Sequence, residues 1–567
     1  MKRVIGIDLG TSTSEAAVMI DGKPFLIPNE QGRQIIPSVI GVEDGHFIVG
    51  EEALARQLLY PEDTVIEVKR KMGEDKKIRV SGKSYTPEEL SSKILAHIKT
   101  YAESYLKEPI ERAVITVPAY FNNEQRKATI EAGRLAGFCV ERILNEPTAA
   151  ALCYGIDHIE EESKILVYDF GGGTFDVTLL EMFDGVLEVK ASSGNNELGG
   201  KEFDEKLIEY LILAGEETYQ VDLRNDIYAM VKLREAAISC KIALSSQESY
   251  DVILPMIAEV DGKPVTMKET ITVAMFEEMI ADLVAMTRKP IEVVMADSGF
   301  SSDDIDLILL VGGSTKIPYI SRYVEELLGE KPERLVDPDL AVALGAAVQA
   351  GILTEEIDTQ EGIMITDVSP YALGVRVLID MQGIPFDNYM DILIPRNTTI
   401  PVTKTKRYAT AADNQRSAMV EVYQGEREIA TENILLGKFE IGEFPRARAG
   451  KEKIDVKFSY DLNGILVVNA VIVSTGEEAS VTYDMKEIED LQDIDVSNWN
   501  KYPLARKFRS TVRKAEKWLK ELEDDTPDSI ELEELLLALK EAIVLERDIE
   551  EIEDIESDIL DIFDEIL

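Results

Sequence analysis

Two stretches of this chain spell the same pattern. Val4-Ile5-Gly6-Ile7-Asp8-Leu9-Gly10-Thr11-Ser12 and Ile165-Leu166-Val167-Tyr168-Asp169-Phe170-Gly171-Gly172-Gly173-Thr174 both read apolar strand, Asp, apolar residue, Gly, then hydroxyl. Each predicts a hairpin whose glycine-rich turn brings backbone N–H groups against phosphate oxygens. Each Asp ends its strand, where it can hold a hydrated Mg2+, a hard cation that keeps several of its waters. An ordinary hairpin accounts for either stretch alone, but poorly for two matched copies about half a domain apart. A third turn, Gly312-Gly313-Ser314-Thr315-Lys316, follows the apolar run Leu309-Leu310-Val311 and suits an adenosine-binding turn. Neither GxxxxGK[ST] nor GxGxxG occurs, which excludes the P-loop and Rossmann readings.

Around these turns, residues 1 to about 354 alternate short apolar runs with helical stretches, an α/β texture with strand candidates at 4–7, 113–117, 165–168 and 308–311. A charged stretch, 354–362, leads to Ile363-Met364-Ile365 and reads as a linker with an apolar end. From Asp367 to about 485 the texture turns to β. Ile454, Val456, Phe458 and Tyr460 alternate with polar residues, and Asn463-Gly464 then opens a hairpin. The chain closes on helical stretches at 502–522 and beyond Pro527. There Ile549, Ile552, Ile555, Ile559, Ile562 and Ile566 draw an apolar stripe on an acidic helix, a packing face rather than a cofactor site.

Charge narrows the choice of partners. The chain has 107 acidic and 60 basic residues, a formal net charge of −47. Such a field repels phosphate backbones and anionic lipid, so neither nucleic acid nor a membrane is expected. Between residues 521 and 567 stand twenty acidic residues against Lys540 and Arg547. A length of 567 residues predicts two to four domains. Cys139, Cys153 and Cys240 sit in apolar contexts without metal-ligand spacing and are expected to be buried, reduced thiols. A Gly and an Asp come too early for a secretory signal, and no apolar run approaches a membrane span of ~18–20 residues. A soluble, cytoplasmic protein is expected, in which the Asn397-Thr398-Thr399 sequon meets no glycosylation machinery.

Asp8-Leu-Gly-Thr11, Asp169-Phe-Gly-Gly-Gly-Thr-Phe-Asp176 and Gly312-Gly-Ser-Thr-Lys-Ile-Pro318 resemble the phosphate and adenosine motifs of the actin-like ATPase superfamily. Ala113-Val-Ile-Thr-Val-Pro-Ala-Tyr-Phe121, Asn145-Glu-Pro-Thr-Ala-Ala-Ala151 and Leu198-Gly-Gly200 narrow the resemblance to the seventy-kilodalton heat-shock chaperones, the DnaK family. It continues through Asn397-Thr-Thr-Ile-Pro401, Ala412-Asp-Asn-Gln415 and Tyr423-Gln-Gly-Glu-Arg427, covering roughly residues 2 to 485. The short C-terminal region and Asp367-Val-Ser-Pro-Tyr-Ala-Leu-Gly374 are most similar to a short bacterial DnaK-like branch.

The resemblance implies an actin-like nucleotide-binding domain over 1–354, a linker over 355–366, a β-sandwich substrate-binding domain over 367–488 and a shortened acidic helical lid over 489–567. It implies an ATPase using ATP/ADP and Mg2+, a monomer acting in folding and the stress response. Its clients would be extended apolar segments of unfolded or nascent polypeptides, and its helpers a J-domain co-chaperone and a nucleotide exchange factor. ATP binding would favour a docked state with fast peptide exchange, and hydrolysis would tighten the grip.

Position by position, Asp8 and Asp169 correspond to the residues that hold hydrated Mg2+. Gly10, Thr11, Ser12, Thr13, Gly171, Gly172, Gly173 and Thr174 correspond to the phosphate turns. Lys69 matches the lysine that positions attacking water and stabilises γ-phosphate charge, and Glu146 and Asp176 match carboxylates that order water and Mg2+. Without the resemblance Lys69 reads as one more solvated charge in a basic run. Gly200, Lys241, Ser245, Gly312, Gly313, Ser314, Lys316 and Asp337 match nucleotide contacts. For phosphoryl transfer this is a sufficient kit: a cation, fixed backbone donors, one lysine and carboxylates. None of His46, His97 and His158 matches a motif.

Pro118, Arg126 and Glu146 correspond to the family's interdomain relay; Arg142, Asn145 and Asp367 to its J-domain docking surface; Val375, Leu378, Tyr408, Ala411 and Met419 to its peptide cleft. For any one of the last five, ordinary sheet core is an equal reading. Three positions depart from the pattern. Ile238 replaces a Glu that touches ribose, Lys201 replaces a Glu after Leu-Gly-Gly, and Lys316 replaces an Arg that stacks on adenine. Lysine lacks the planar face for that stacking, so looser nucleotide binding is expected. A small-molecule kinase of the same superfamily leaves the region after 367 without a role. An actin-like filament protein should end soon after Gln349, and a non-hydrolysing ATP sensor does not need Lys69.

Overall fold

A computed structural model describes residues 3–482 apart from 75, 157, 159–161, 184, 261–262, 335–336, 355, 358–363 and 382–383, then 505–519 and spaced positions between 532 and 560. Two units emerge, Met1–Tyr483 and Asp484–Leu567.

The sequence echo is a structural one. In one large sheet the strand order is Cys139–Asn145, Arg112–Val117, Val4–Leu9, Thr13–Ile20, Lys23–Leu26; in the other it runs Leu307–Val311, Ser163–Phe170, Phe175–Phe183, Val186–Asn195, then Met364–Val368 and Thr399–Ile400. Each aspartate-bearing strand has a parallel neighbour on one side and its own antiparallel hairpin partner on the other. Both strands are almost wholly buried, which is why they read as continuous apolar runs. Separate cores lie outside the two sheets, one built from residues between Ile5 and Ile143, the other between Leu166 and Leu328. A third core joins both halves through the helices Glu146–Gly155 and Ala341–Leu353. These helices are rich in Ala because they nearly touch: a Cβ on Gly345 would lie 1.7 Å from the Ala149 carbonyl oxygen.

After the α/β region come two four-stranded antiparallel sheets. One contains Ile384–Ile394, Leu373–Met381, Ser417–Gln424 and Ile434–Gly442; the other Val402–Ala409, Lys453–Tyr460, Leu466–Ile472 and Glu478–Thr482. Ile454, Val456, Phe458 and Tyr460 face their common core, as the alternation requires, and Gly464 turns the hairpin at φ 71°.

The expected linker is not a free tether. Met364, Ile365 and Thr366 pair in parallel with Val186, Leu187 and Glu188, extending the second sheet, and Asp367 and Val368 then pair with Ile400 and Thr399. The Tyr371 hydroxyl donates to the Tyr120 carbonyl at 2.6 Å, and the Ile143 N–H donates to Asn463 Oδ1 at 3.0 Å. The α/β region and the β-region therefore share one compact unit. Ile363 and the expected limit at 488 lie outside the described residues.

In the C-terminal unit, Ala505, Phe508, Val512 and Ala515 of the helix Ala505–Trp518 share one core with Leu532, Leu536, Leu539, Ile543, Ile552 and Ile559. The isoleucine stripe thus buries within its own unit at Ile552 and Ile559; Ile549, Ile562, Ile566 and the break near Pro527 lie outside the described residues. Cys153 and Cys240 are buried as expected, but Cys139 is exposed, because it starts the outermost strand of its sheet. Among the described residues no helix is long and apolar enough to cross a membrane.

Candidate active site

The twin architecture aims two aspartates and two turns at one cleft. Asp8 and Asp169 stand near the ends of equivalent strands, followed by the turns 10–12 and 171–174. These turns face each other so closely that a Cβ on Gly172 would lie 2.3 Å from Ser12 Oγ, and one on Gly173 2.9 Å from Thr11 Cγ2. Behind them packs the Leu198-Gly199-Gly200 turn, where a Cβ on Gly199 would fall 2.4 Å from the Gly173 nitrogen. Glycine here is a matter of space: backbone amides can line the cleft only if no side chain stands between them.

Lys69 enters this cleft from the short turn Val68–Lys71 and is buried. Its Nζ lies 2.5 Å from Glu146 Oε1, itself buried at the start of the helix Glu146–Gly155. Burial opposes a charge on Lys69, yet Glu146 and Asp8 outweigh it and raise its pKa. Asp8 accepts from Thr116 Oγ1 at 2.9 Å, and Asp176, directly across the hairpin from Asp169, accepts from the Tyr120 N–H at 3.1 Å. Burial and the nearby Glu146 carboxylate push Asp8 and Asp176 each up to about 7. The same two causes, joined by Asp176 and Asp8, push Asp169 well above the usual carboxylate range. Asp169 Oδ2 is buried with no hydrogen-bond partner among the described residues.

Four carboxylates thus crowd one ammonium in a buried space, and a divalent cation is what relieves such crowding. Among the described residues no three acidic, histidine or cysteine side chains form a group that could ligate a metal directly. The unpartnered, buried Asp169 Oδ2 is an oxygen donor of the kind that a hydrated Mg2+ takes. The donor set fits.

The residues expected at the adenosine end are held by a second set of bonds. Lys241 Nζ donates to the Gly200 carbonyl at 2.9 Å and pairs with Asp204 Oδ2 at 2.7 Å; Ser245 Oγ donates to the Lys241 carbonyl at 3.2 Å. Burial lifts Asp204 to about 6 against the pull of Lys241. Ser314 Oγ donates to the Gly171 carbonyl at 2.8 Å, tying the third glycine turn to the second. Gly312 has φ 81°, and a Cβ there would lie 2.5 Å from the Phe170 carbonyl oxygen. Lys316, half-exposed, is gripped by two carboxylates, Asp337 at 2.8 Å and Asp339 at 2.6 Å. Ile238 is partly exposed on the helix Ile227–Leu244, which also carries Lys241.

From Glu146 a polar path leads to the β-region. Arg126, buried, donates to the Ala119 carbonyl at 2.9 Å and to Asn145 Oδ1 at 2.8 Å; Asn145 Nδ2 donates to Asp367 Oδ2 at 2.7 Å. Pro118 follows the strand Arg112–Val117 at the head of the Ala119–Phe121 segment that Arg126 ties down. Arg142 donates to Gln349 at 2.9 Å, and its burial lowers its pKa although Asp367 opposes the shift.

The five peptide-cleft candidates divide. Leu378, Ala411 and Met419 are exposed, Tyr408 is half-buried and donates to Asp391 Oδ2 at 2.7 Å, and Val375 is buried in the core between the sheets. Sequence reasoning missed Thr116, Asp204 and Asp339, which hold other residues of the site, and Glu15, a buried carboxylate facing Asp8 across the first hairpin. Only for Glu15 was there a local signal, a charge inside an otherwise apolar strand.

A family model described as Hsp70 protein matches residues 4–78 and 74–560. The chain is 44% identical over 558 residues to the chaperone protein DnaK of Thermosipho africanus (strain TCF52B), across 95% of this chain and 92% of that protein.

Proposed function

The chain belongs to the Hsp70 family, and from that premise we propose how its own residues do the family's work. It is an ATP-dependent molecular chaperone acting in protein folding, an ATPase that uses ATP/ADP with Mg2+. The family binds unfolded polypeptides and works with J-domain and exchange-factor co-chaperones.

In the proposed hydrolysis, amides of the turns 10–13 and 171–174 receive the phosphates, and Asp8 and Asp169 hold the waters of the cation. Held there, Mg2+ would supply charge neutralisation to phosphoryl transfer. Lys69 stabilises the charge gathering on the γ-phosphoryl group and positions the attacking water, with Glu146 and Asp176 orienting that water. The observation that carries this is the buried Lys69–Glu146 pair at 2.5 Å. A buried lysine held at one point of a phosphate cleft is a preorganised cation, not a solvated charge. The test is Lys69→Ala, with single-turnover hydrolysis and ATP affinity measured on one preparation. Lost hydrolysis with retained binding is expected; unchanged turnover would overturn the assignment.

Lys241, Ser245, Ser314, Lys316 and Asp337 attend the nucleotide at its adenosine end. Pro118, Arg126 and Glu146 relay the nucleotide state toward Asp367, a role supported by the Arg126–Asn145–Asp367 bonds and by the linker's place in the sheet. Arg142, Asn145 and Asp367 serve J-domain docking, and Leu378, Tyr408, Ala411 and Met419 meet extended apolar peptide. We take residues 1–354 as the nucleotide-binding domain, 355–366 as linker, 367–488 as the peptide-binding β-sandwich and 489–567 as a short lid. We take the chain to act as a monomer in the cytoplasm.

A further inference from the structure

Two ion pairs cross the cleft near its phosphate end. Lys201 Nζ lies 3.0 Å from Glu67 Oε2, and Arg70 Nη1 lies 2.6 Å from Glu202 Oε1. Glu67 precedes the turn that carries Lys69, Arg70 belongs to it, and Val68 of that turn belongs to the core of the first half. Lys201 and Glu202 open the helix Gly200–Tyr219, whose Phe203, Leu207 and Leu211 belong to the core of the second half. The pairs therefore join one half to the other. Glu202 also accepts from the Gly199 N–H at 2.7 Å, and the Arg70 stem passes 3.2 Å from where a Cβ on Gly173 would stand. The Lys201 N–H donates to the Gly172 carbonyl at 2.9 Å, so the helix end that carries Lys201 and Glu202 is fixed to the backbone of the glycine turns.

Beside them opens a cleft of about 620 Å³. Its lining joins Thr11, Lys69 and Thr174, at the phosphate turns, with the cations Arg70, Lys71, Lys201 and Arg234 and the carboxylates Glu67, Glu74, Glu197 and Glu205. Among the described residues none of Ser245, Ser314 and Lys316, which stand at the adenosine end, lines it. An anion formed at Lys69 therefore has a way out, past Arg70, Lys201 and Lys71, that does not pass Ser245, Ser314 or Lys316. While the pairs stand, Lys201 is neutralised by Glu67, with Glu205 of its own helix 3.6 Å away, and Arg70 by Glu202. A departing dianion competes with those carboxylates for both cations, so partner exchange opens the pairs as it leaves.

We propose that Glu67–Lys201 and Arg70–Glu202 form a clasp over a separate exit for inorganic phosphate, which sets phosphate departure independently of ADP. Lys201, a departure from the family pattern, finds its charge complement in Glu67 within this chain. The proposal rests on assigning the Lys69, Thr11 and Thr174 end of the cleft to the γ-phosphate.

The test uses the full chain loaded with Mg·ADP and inorganic phosphate, then mixed with a fluorescent phosphate-binding sensor; release of labelled ADP is timed separately. Lys201→Glu sets two carboxylates against each other and should speed phosphate release by about fivefold, the scale of one partly exposed pair, with ADP release unchanged. The swap Glu67→Lys with Lys201→Glu should restore the slow rate. Unchanged phosphate release, equal acceleration of ADP, or a swap that fails to restore the rate overturns the clasp. Lys69→Ala in single turnover tests the underlying assignment separately. Lost hydrolysis there, with clasp variants that change nothing, would sink the clasp alone.

Discussion

Asn145 donates from Nδ2 to Asp367 Oδ2 at 2.7 Å, joining positions 222 residues apart in the chain. Asn145 immediately precedes Glu146 and occupies the N-cap of its helix, yet its side chain makes no cap bond there. A capping Asn is worth about 1 kcal/mol to a helix. Here that contribution is forgone and the amide is spent on Arg126 and Asp367 instead, so the residue beside the Lys69 partner is also the residue that grips the β-region.

This predicts a separation of activities. Asp367→Ala should leave basal hydrolysis within about twofold, because it removes no group from the phosphate cleft. Stimulation of hydrolysis by an extended apolar peptide should fall by roughly tenfold, the scale of about 1.4 kcal/mol in a buried charge-assisted bond. Steady-state turnover with and without peptide measures both, and retained stimulation would remove Asp367 from the relay.

Removing Lys69 should affect stability as well as rate. In the nucleotide-free chain Lys69→Ala leaves Glu146 buried without its partner, which costs about 3–5 kcal/mol. Adding Glu146→Gln should recover much of that loss without recovering hydrolysis. Thermal unfolding of the two variants decides it; equal melting temperatures would mean that water already solvates Glu146.

The crowded carboxylates set a pH dependence. Asp8 and Asp176 are raised from 3.8 to about 7 by burial and Glu146, so the folded chain holds protons there that the unfolded chain has lost. Their contribution to stability is full below pH ~4 and disappears as pH rises toward ~7. Without nucleotide or metal, Asp8→Asn should therefore melt above the unsubstituted chain at pH 8, by an amount on the order of a few kcal/mol. Near pH 4 the gap should close, and Mg·ATP should narrow it at pH 8 by supplying the missing positive charge. A constant gap across pH would show that the substitution acts through packing.

Lys316 is neutralised by Asp337 and Asp339, and the apolar Ile238 has no group that could hydrogen-bond a sugar. Nucleotide release should be fast for the family. Ile238→Glu together with Lys316→Arg should slow it by about tenfold, one hydrogen bond plus one stacking contact acting mainly on the off-rate. A stopped-flow chase with labelled ADP reads the change directly.

What was legible in the chain was what local pattern encodes. Twin strand-turn motifs, the alternation ending at Tyr460 and the Asn463-Gly464 turn each state their geometry within ten residues, and each appears in the fold. Asp204 and Asp339 were illegible because their importance is a distance to Lys241 and Lys316, and no periodicity reports a contact across 37 or 23 residues. Lys201 stood out only as an oddity until Glu67 was found beside it. Cys139 went astray for a related reason: an apolar neighbourhood in sequence does not say which strand lies outermost.

The strand Met364–Val368 has one more consequence. A sheet edge with unpaired N–H and C=O groups is a template for any extended chain that drifts past, and extended chains are what this protein handles. With residues 364–366 in place, the edge at Val186–Glu188 is occupied. Without that strand the edge would stand open to any extended chain nearby. The segment that joins the two regions is thus also a stopper, keeping the motor's own sheet from becoming a client's first partner.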